Sequence, residues 1–155
     1  MKVQTTRFGA LEVDEGSTVN MASGPLGFEQ LTRFCLIQHR SDTSFRWLQS
    51  MEDPSLAFVV VDPTEFFDDY EIEISDAYAE MLRLQSEEDA LLFVVLTVGD
   101  HGKHITANLA APIVLNSKNR IGMQVIIEDD RYAVRHELAT PGAKRSRATT
   151  ITNAA

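Results

Sequence analysis

The sequence predicts an all-β fold, a small antiparallel β-barrel or sandwich with one short helix. Three observations predict it. Short segments rich in β-branched and aromatic residues recur along most of the 155 residues, turn-forming residues separate them, and only one stretch shows helical spacing of its apolar positions. A chain of this length is one ordinary domain and can bury a core of its own without a metal or disulfide.

Taken in order, Val3 to Phe8 and Ala10 to Val13 flank Gly9 as a hairpin. Gly24-Pro25-Leu26-Gly27 reads as a turn, with a helical turn allowed after Gly27. Arg33 to His39 and Phe45 to Ser50 are strand-like, and Leu56 to Val61 is a continuous apolar run expected to be covered on both faces. A helical turn is expected over Thr64 to Phe67 after Pro63. In Tyr70 to Ile74, Tyr70, Ile72 and Ile74 alternate with Asp69, Glu71 and Glu73, so one side faces inward and one outward. Ser75 suits a helix N-cap, Asp76 suits the positive end of the helix, and Ala77, Tyr78, Met81 and Leu82 recur at helical spacing. Ala90 to Val98 and Ile105 to Leu109 are joined by Gly-Asp-His-Gly-Lys-His as a glycine-containing hairpin. Pro112 to Leu115, Met123 to Ile127 and Tyr132 to Leu138 complete the strands, with Glu128 to Arg131 as the last turn. Residues 139–155 are rich in Pro, Gly, Ala, Ser, Thr and bases; the domain therefore spans 1–138, and a disordered basic tail is expected after it.

Charge narrows the function. The net charge is −9, and the last seventeen residues hold Lys144, Arg145 and Arg147 and no acid. Eleven bases and 23 acids remain, so the body carries −12. Such a body repels phosphate backbones, which argues against direct nucleic-acid binding, and steers basic proteins toward itself. The longest apolar run, Ala90 to Val98, is about half the ~20 residues of a membrane span. The N-terminus shows no secretion signal and Cys35 is the only cysteine, so a cytoplasmic location is expected. A barrel closes its own edges, so a monomer is expected.

The search for catalytic chemistry returns little, and no enzyme or cofactor is expected. There is no P-loop, dinucleotide fingerprint or serine nucleophile elbow. Cys35, between Phe34 and Leu36, reads as an inert core thiol. His101 and His104 with Asp100 could suggest a metal, but a glycine-rich hairpin tip holds tetrahedral geometry poorly, and no metal site is expected. The acidic groups Glu52-Asp53, Asp68-Asp69 and Glu87-Glu88-Asp89 could supply a general acid and base but read as solvated surface or helix-entry charge. The segment that stands out is Phe45 to Pro54, which holds the only tryptophan. Phe45, Trp47 and Gln49 alternate onto one face, and an aromatic with polar groups on one face suits a protein-binding surface. An equal alternative is that Trp47 plugs one end of the barrel.

Four segments resemble, in order, those of the flagellar assembly factor FliW family. They are Gly24 to Glu29, Leu48 to Phe58, Thr106 to Asn116 and Gly122 to Ile126. Met21-Ala22-Ser23 and Pro25-Leu26 depart from the family's Phe-Pro and Ile-Pro. The resemblance covers residues 1–138 and implies a small barrel-like fold and a non-enzymatic partner switch. Its expected partners are flagellin and CsrA, an RNA-binding translational repressor of flagellin synthesis. The candidate partner-binding residues are Phe45, Trp47, Gln49, Ser50, Glu52, Asp53 and Asn108. Asn108 and Asn116 also suit caps of turns and strand ends. The alternative function is a small-ligand-binding or hydrolytic barrel built on the histidine hairpin or the acidic pairs.

Overall fold

A computed structural model describes residues 1–38, 43–99 and 104–138, together with the backbone of Thr152–Asn153. The strands are β1 (Lys2–Thr5), β2 (Gly9–Glu12), β3 (Thr18–Met21), β4 (Arg33–Ile37), β5 (Arg46–Ser50), β6 (Ala57–Val61), β7 (Glu73–Ile74), β8 (Ala90–Gly99), β9 (His104–Ala107), β10 (Ile113–Asn116), β11 (Ile121–Gln124), β12 (His136–Glu137) and β13 (Thr152–Asn153). The one α-helix, α1, spans Asp76–Met81.

Seven strands close a ring in the order β8-β10-β11-β3-β4-β5-β6 and back to β8. Six of the seven joints are antiparallel and β11–β3 is parallel. The expected small antiparallel β-barrel with one short helix is what the structure shows, with one parallel joint for a geometric reason. Strand direction cannot alternate all the way round a closed ring of odd number. Strand β8 is long enough to serve two sheets, since Ala90 to Phe93 pair with β10 while Leu96 to Gly99 pair with β9.

Alternation along these strands builds two cores. Val19, Met21, Phe34, Leu48, Val60, Phe93, Ile113 and Leu115 point into the ring and fill it. The residual cavity among them measures about 10 Å³, too small to hold even one water (~10–15 Å³ as the least such volume). Gly122 contributes backbone only, because a Cβ there would stand 3.1 Å from Val19 Cγ1. The second core covers the outer face of β8 and β10. Val61, Leu92, Val94, Leu96 and Val114 meet Phe66, Phe67, Tyr70, Ile72, Ile74 and Leu82 from the excursion between β6 and β8. Val60 belongs to the inner core and Val61 to the outer, so the run over 56–61 is covered on both faces as its continuity predicts.

The sequence reading assigns no element between Val13 and Arg33 except the glycine turn, and there the structure places β3. Tyr132 to Leu138 forms strand only at His136–Glu137, and Thr64 to Phe67 lies partly in a 3-10 turn over Pro63–Glu65 capped by Asp62. Helix α1 is capped by Ser75, whose hydroxyl accepts from Tyr78 N. Its inward face is Tyr78, Ala79 and Leu82, while Ala77 and Met81 are exposed. In a six-residue helix only one turn can face the core, and the buried Leu82 just past its end sets which.

Tyr70 pins the outer layer. Fully buried, it donates from its hydroxyl to Leu109 O at 2.7 Å. Tyr70→Phe is expected to cost about 1.5 kcal/mol, a fall of about 4 °C in Tm by thermal melting. Burial raises the phenol's pKa well above its ordinary 10.0. A raised folded-state pKa contributes stability below the unfolded value and loses it above. The wild type should therefore weaken from pH 10 upward more steeply than Tyr70→Phe.

Candidate functional site

The β5–β6 turn and the β1–β2 hairpin come together outside the barrel. The hairpin closes through Thr5, whose hydroxyl donates to Gly9 O and accepts from Phe8 N, while Gly9 supplies φ +72. Its tip lies on Trp47. The Arg7 guanidinium stands 4.2 Å from the Trp47 ring centroid, and the Phe8 ring meets it edge-on at 5.7 Å. Thr6 N donates to Pro54 O, tying the tip to the facing turn. Between them lies a cleft of about 370 Å³ lined by Thr6, Arg7, Gln49, Pro54, Ser55 and Ala57.

Of the residues singled out from the sequence, those of Phe45 to Asp53 lie on or next to β5 and on the turn after it, with different roles, and Asn108 lies elsewhere. Trp47 is half-buried beneath Arg7 and Phe8, and Phe45 is half-buried and stacks on Phe66 at 6.0 Å. Gln49 and Ser50 are fully buried, so a direct partner contact by either is corrected to a role from within. Gln49 Nε2 faces the carbonyls of Ser50, Pro54 and Leu56 at 3.0 to 3.2 Å, and its Oε1 has no hydrogen-bond partner among the described residues. Ser50 Oγ accepts from the backbone N–H groups of Glu52 and Asp53. Those two bonds shape the turn that presents the acids.

Glu52 lies exposed, yet its Oε1 accepts from Thr32 N and Arg33 N at 2.8 and 2.9 Å. These bonds, Arg33's first, hold the Glu52 carboxyl below its ordinary pKa. The stability they contribute is present above the unfolded value near 4.5 and is lost as pH falls below it. Asp53 Oδ1 accepts from Ser55 N and Oγ. Asn108 sits apart on the loop after β9, with Oδ1 accepting from Ala111 N. Asn116 is buried, and its Nδ2 donates to Leu82 O and Arg83 O beyond α1. Arg7 was not picked out from sequence. It reaches Trp47 only because the hairpin folds back over β5, and no local pattern signals that.

The glycine segment forms a second ordered loop. Gly24 N donates to Glu29 O and Phe28 N to Pro25 O. Gly27 takes φ +90 and donates from its N–H to Glu29 Oε1. Gln124 Oε1 accepts from Leu26 N.

Cys35 is buried, and burial pushes its thiol pKa up, as expected for a core thiol. His104 bonds Glu137 at 2.8 Å, and His101 with residues 100–103 lies outside the described residues. Among the described residues no three His, Cys, Asp or Glu side chains cluster as metal ligands. No helix among the described residues is long and apolar enough to cross a membrane.

Fold and site together define a class: a small closed β-barrel filled by its own side chains, with its polar groups gathered on the loops that join the strands. Residues 2–138 match the model of the FliW protein family. The chain belongs to that family. It is 41% identical over 138 residues to the flagellar assembly factor FliW of Geobacillus kaustophilus, covering 89% of this chain and 95% of the relative. It is 38% identical over 144 residues to that of Geobacter sulfurreducens, covering 93% and 90%. A crystal structure of the flagellar assembly factor FliW superposes with TM-score 0.81 at 39% identity, covering 88% of this chain and 96% of the other.

Proposed function

We propose that this chain is a cytoplasmic partner switch in flagellar assembly, which binds flagellin and, once flagellin is drained by secretion, captures the translational repressor CsrA. The observation that carries the reading is the family match over 2–138. The acidic body supports it, because a body at −12 attracts a basic RNA-binding protein and opposes its RNA. The proposed partner surface is the Trp47 patch with Phe45, Glu52 and Asp53, held in shape from beneath by Gln49 and Ser50; Asn108 would act at its own loop.

The test is calorimetric titration of the purified protein with CsrA and flagellin from the same organism. Sub-micromolar binding to both, each displacing the other, is the expected result; binding to neither overturns the reading. Trp47→Ala is expected to weaken at least one partner about tenfold or more, as for an aromatic hot spot. If Trp47→Ala and Asp53→Lys both melt like the wild type and bind both partners normally, the surface lies elsewhere.

A further inference from the structure

The β1–β2 hairpin is attached to the barrel by few contacts. It forms a two-stranded sheet of its own, and among the described residues no barrel strand pairs with it. Among those residues, the one backbone hydrogen bond from 1–13 to the barrel is Thr6 N to Pro54 O at 2.9 Å. A two-stranded ribbon buries little by itself, so the burial of Val3 and Thr5 places that face against the barrel. Val3 nevertheless stands outside both hydrophobic cores. Beneath the tip the packing is open, because the cleft of about 370 Å³ lies there. Thr6 N and Gln49 Nε2 share Pro54 O, at 2.9 and 3.2 Å, which sets the Gln49 carboxamide against the tip. Its Oε1 is buried with no hydrogen-bond partner among the described residues.

We propose that the β1–β2 hairpin is a hinged cover over Trp47, which lifts as a unit while the barrel stays folded and so gates the partner surface. The hairpin is closed on itself and can move as one piece. Its four paired positions, the Thr5 bonds across its tip and the Met1 amine on Glu12 at 2.9 Å all lie within it. A 3-10 turn over Glu15–Ser17 that buries no side chain joins it to β3 and serves as the hinge. Val3, the Thr6–Pro54 bond, and Arg7 and Phe8 on Trp47 hold it shut. Lifting loses these contacts but lets water reach Gln49 Oε1, which offsets part of the loss. A partner that takes the Trp47 ring meets it only in the lifted state, so its apparent affinity is reduced by the fraction open. The gating depends on the partner reading of Trp47; the lifting does not.

Thiol labelling of the full chain with a chromogenic aromatic disulfide tests it, because Cys35 is fully buried in the barrel and reports its global opening. The thiol introduced by Val3→Cys should react at least about a hundredfold faster than Cys35, as for an opening smaller than global unfolding. The Thr6 amide, followed by hydrogen exchange in that variant, should give the same opening constant, because base and tip lift together. In the unmodified chain the same amide should also open far more readily than the amides of β5 and β6. Arg7→Ala should raise both readouts about threefold by removing the contact with Trp47, with Cys35 unchanged. Labelling at position 3 no faster than at Cys35 overturns the proposal. So do opening constants at base and tip that differ by about tenfold, which would mean fraying of one end. Where CsrA or flagellin binds, Arg7→Ala should tighten it by the factor seen in labelling, and unchanged or weaker binding overturns the gating. Binding of neither would sink the partner reading instead, while labelling still decides whether the hairpin lifts.

Discussion

Replacing Gln49 by glutamate should cost of order 4 kcal/mol or more, the largest effect expected of any single change in the candidate site. The amide nitrogen faces three carbonyl oxygens within 3.2 Å and a fourth, of Asp53, at 3.5 Å. A carboxylate oxygen in its place would meet those carbonyls with like charge and no water. Gln49→Ala keeps the site neutral but takes a donor from these buried carbonyls, of which Pro54 O keeps its bond from Thr6 N and Leu56 O its bond from Ser50 N, at about 2 kcal/mol. Urea unfolding measures both. The glutamate variant carries a further signature: burial among acceptors raises its carboxyl pKa, so its deficit shrinks as pH falls and the protonated acid can donate again. Stabilities within 1 kcal/mol of wild type for both variants would remove Gln49 as the keystone of the β5–β6 turn, about the size of an ordinary surface change.

Gly24→Ala should be nearly as damaging. A Cβ there would sit 2.1 Å from Phe28 O and 2.2 Å from Leu31 O. Both are backbone atoms, so no rotamer relieves the clash and the loop itself must move. A loss of about 3 kcal/mol or more is expected, with the Phe28–Phe58 edge contact at 5.6 Å lost as the loop shifts. Gly27→Ala supplies the contrast. Its φ is +90 but its Cβ would meet nothing within 4 Å, so only backbone strain of about 1–2 kcal/mol is expected. Thermal melts of the two variants side by side check the order, and equal shifts would mean that close approach is not what Gly24 provides.

Much of this molecule was legible in the sequence. Alternation in Tyr70 to Ile74 marked the buried side correctly, because side chains of an extended chain point alternately whatever else the fold does. The double cover of Val60 and Val61 followed from an unbroken apolar run. In two of the four segments that carry the resemblance, Gly24 to Glu29 and Leu48 to Phe58, the structure gives the motif residues local tasks. Gly24, Gly27, Gln49, Ser50 and Glu52 each satisfy a backbone group or a backbone conformation that few other side chains could.

The candidate surface was legible only in part. Strand alternation put Phe45, Trp47 and Gln49 on one face, but it could not say what covers that face. The hairpin's tip lies over Trp47 and leaves Gln49 wholly buried, so a residue read as a contact works from inside. Nor could it reach Arg7, forty residues from Trp47 in sequence. Strand β3 was missed because Thr18-Val19-Asn20-Met21 is four residues long, and its burial arises from the partners on either side.

By itself the sequence determined the all-β class and most of the strands, the acidic body, the basic tail, the lone core thiol and membership of a family, since each is carried by local periodicity, residue type or ordered motifs. Only the tertiary structure decided which strands meet. Ring closure with seven strands imposed a parallel joint, hairpin docking divided the aromatic face into covered and open parts, and strand β7 received its partner from the far end of the chain. These are relations between segments distant in sequence. Pairing energy there depends on the whole set of buried neighbours, which no local window of residues contains.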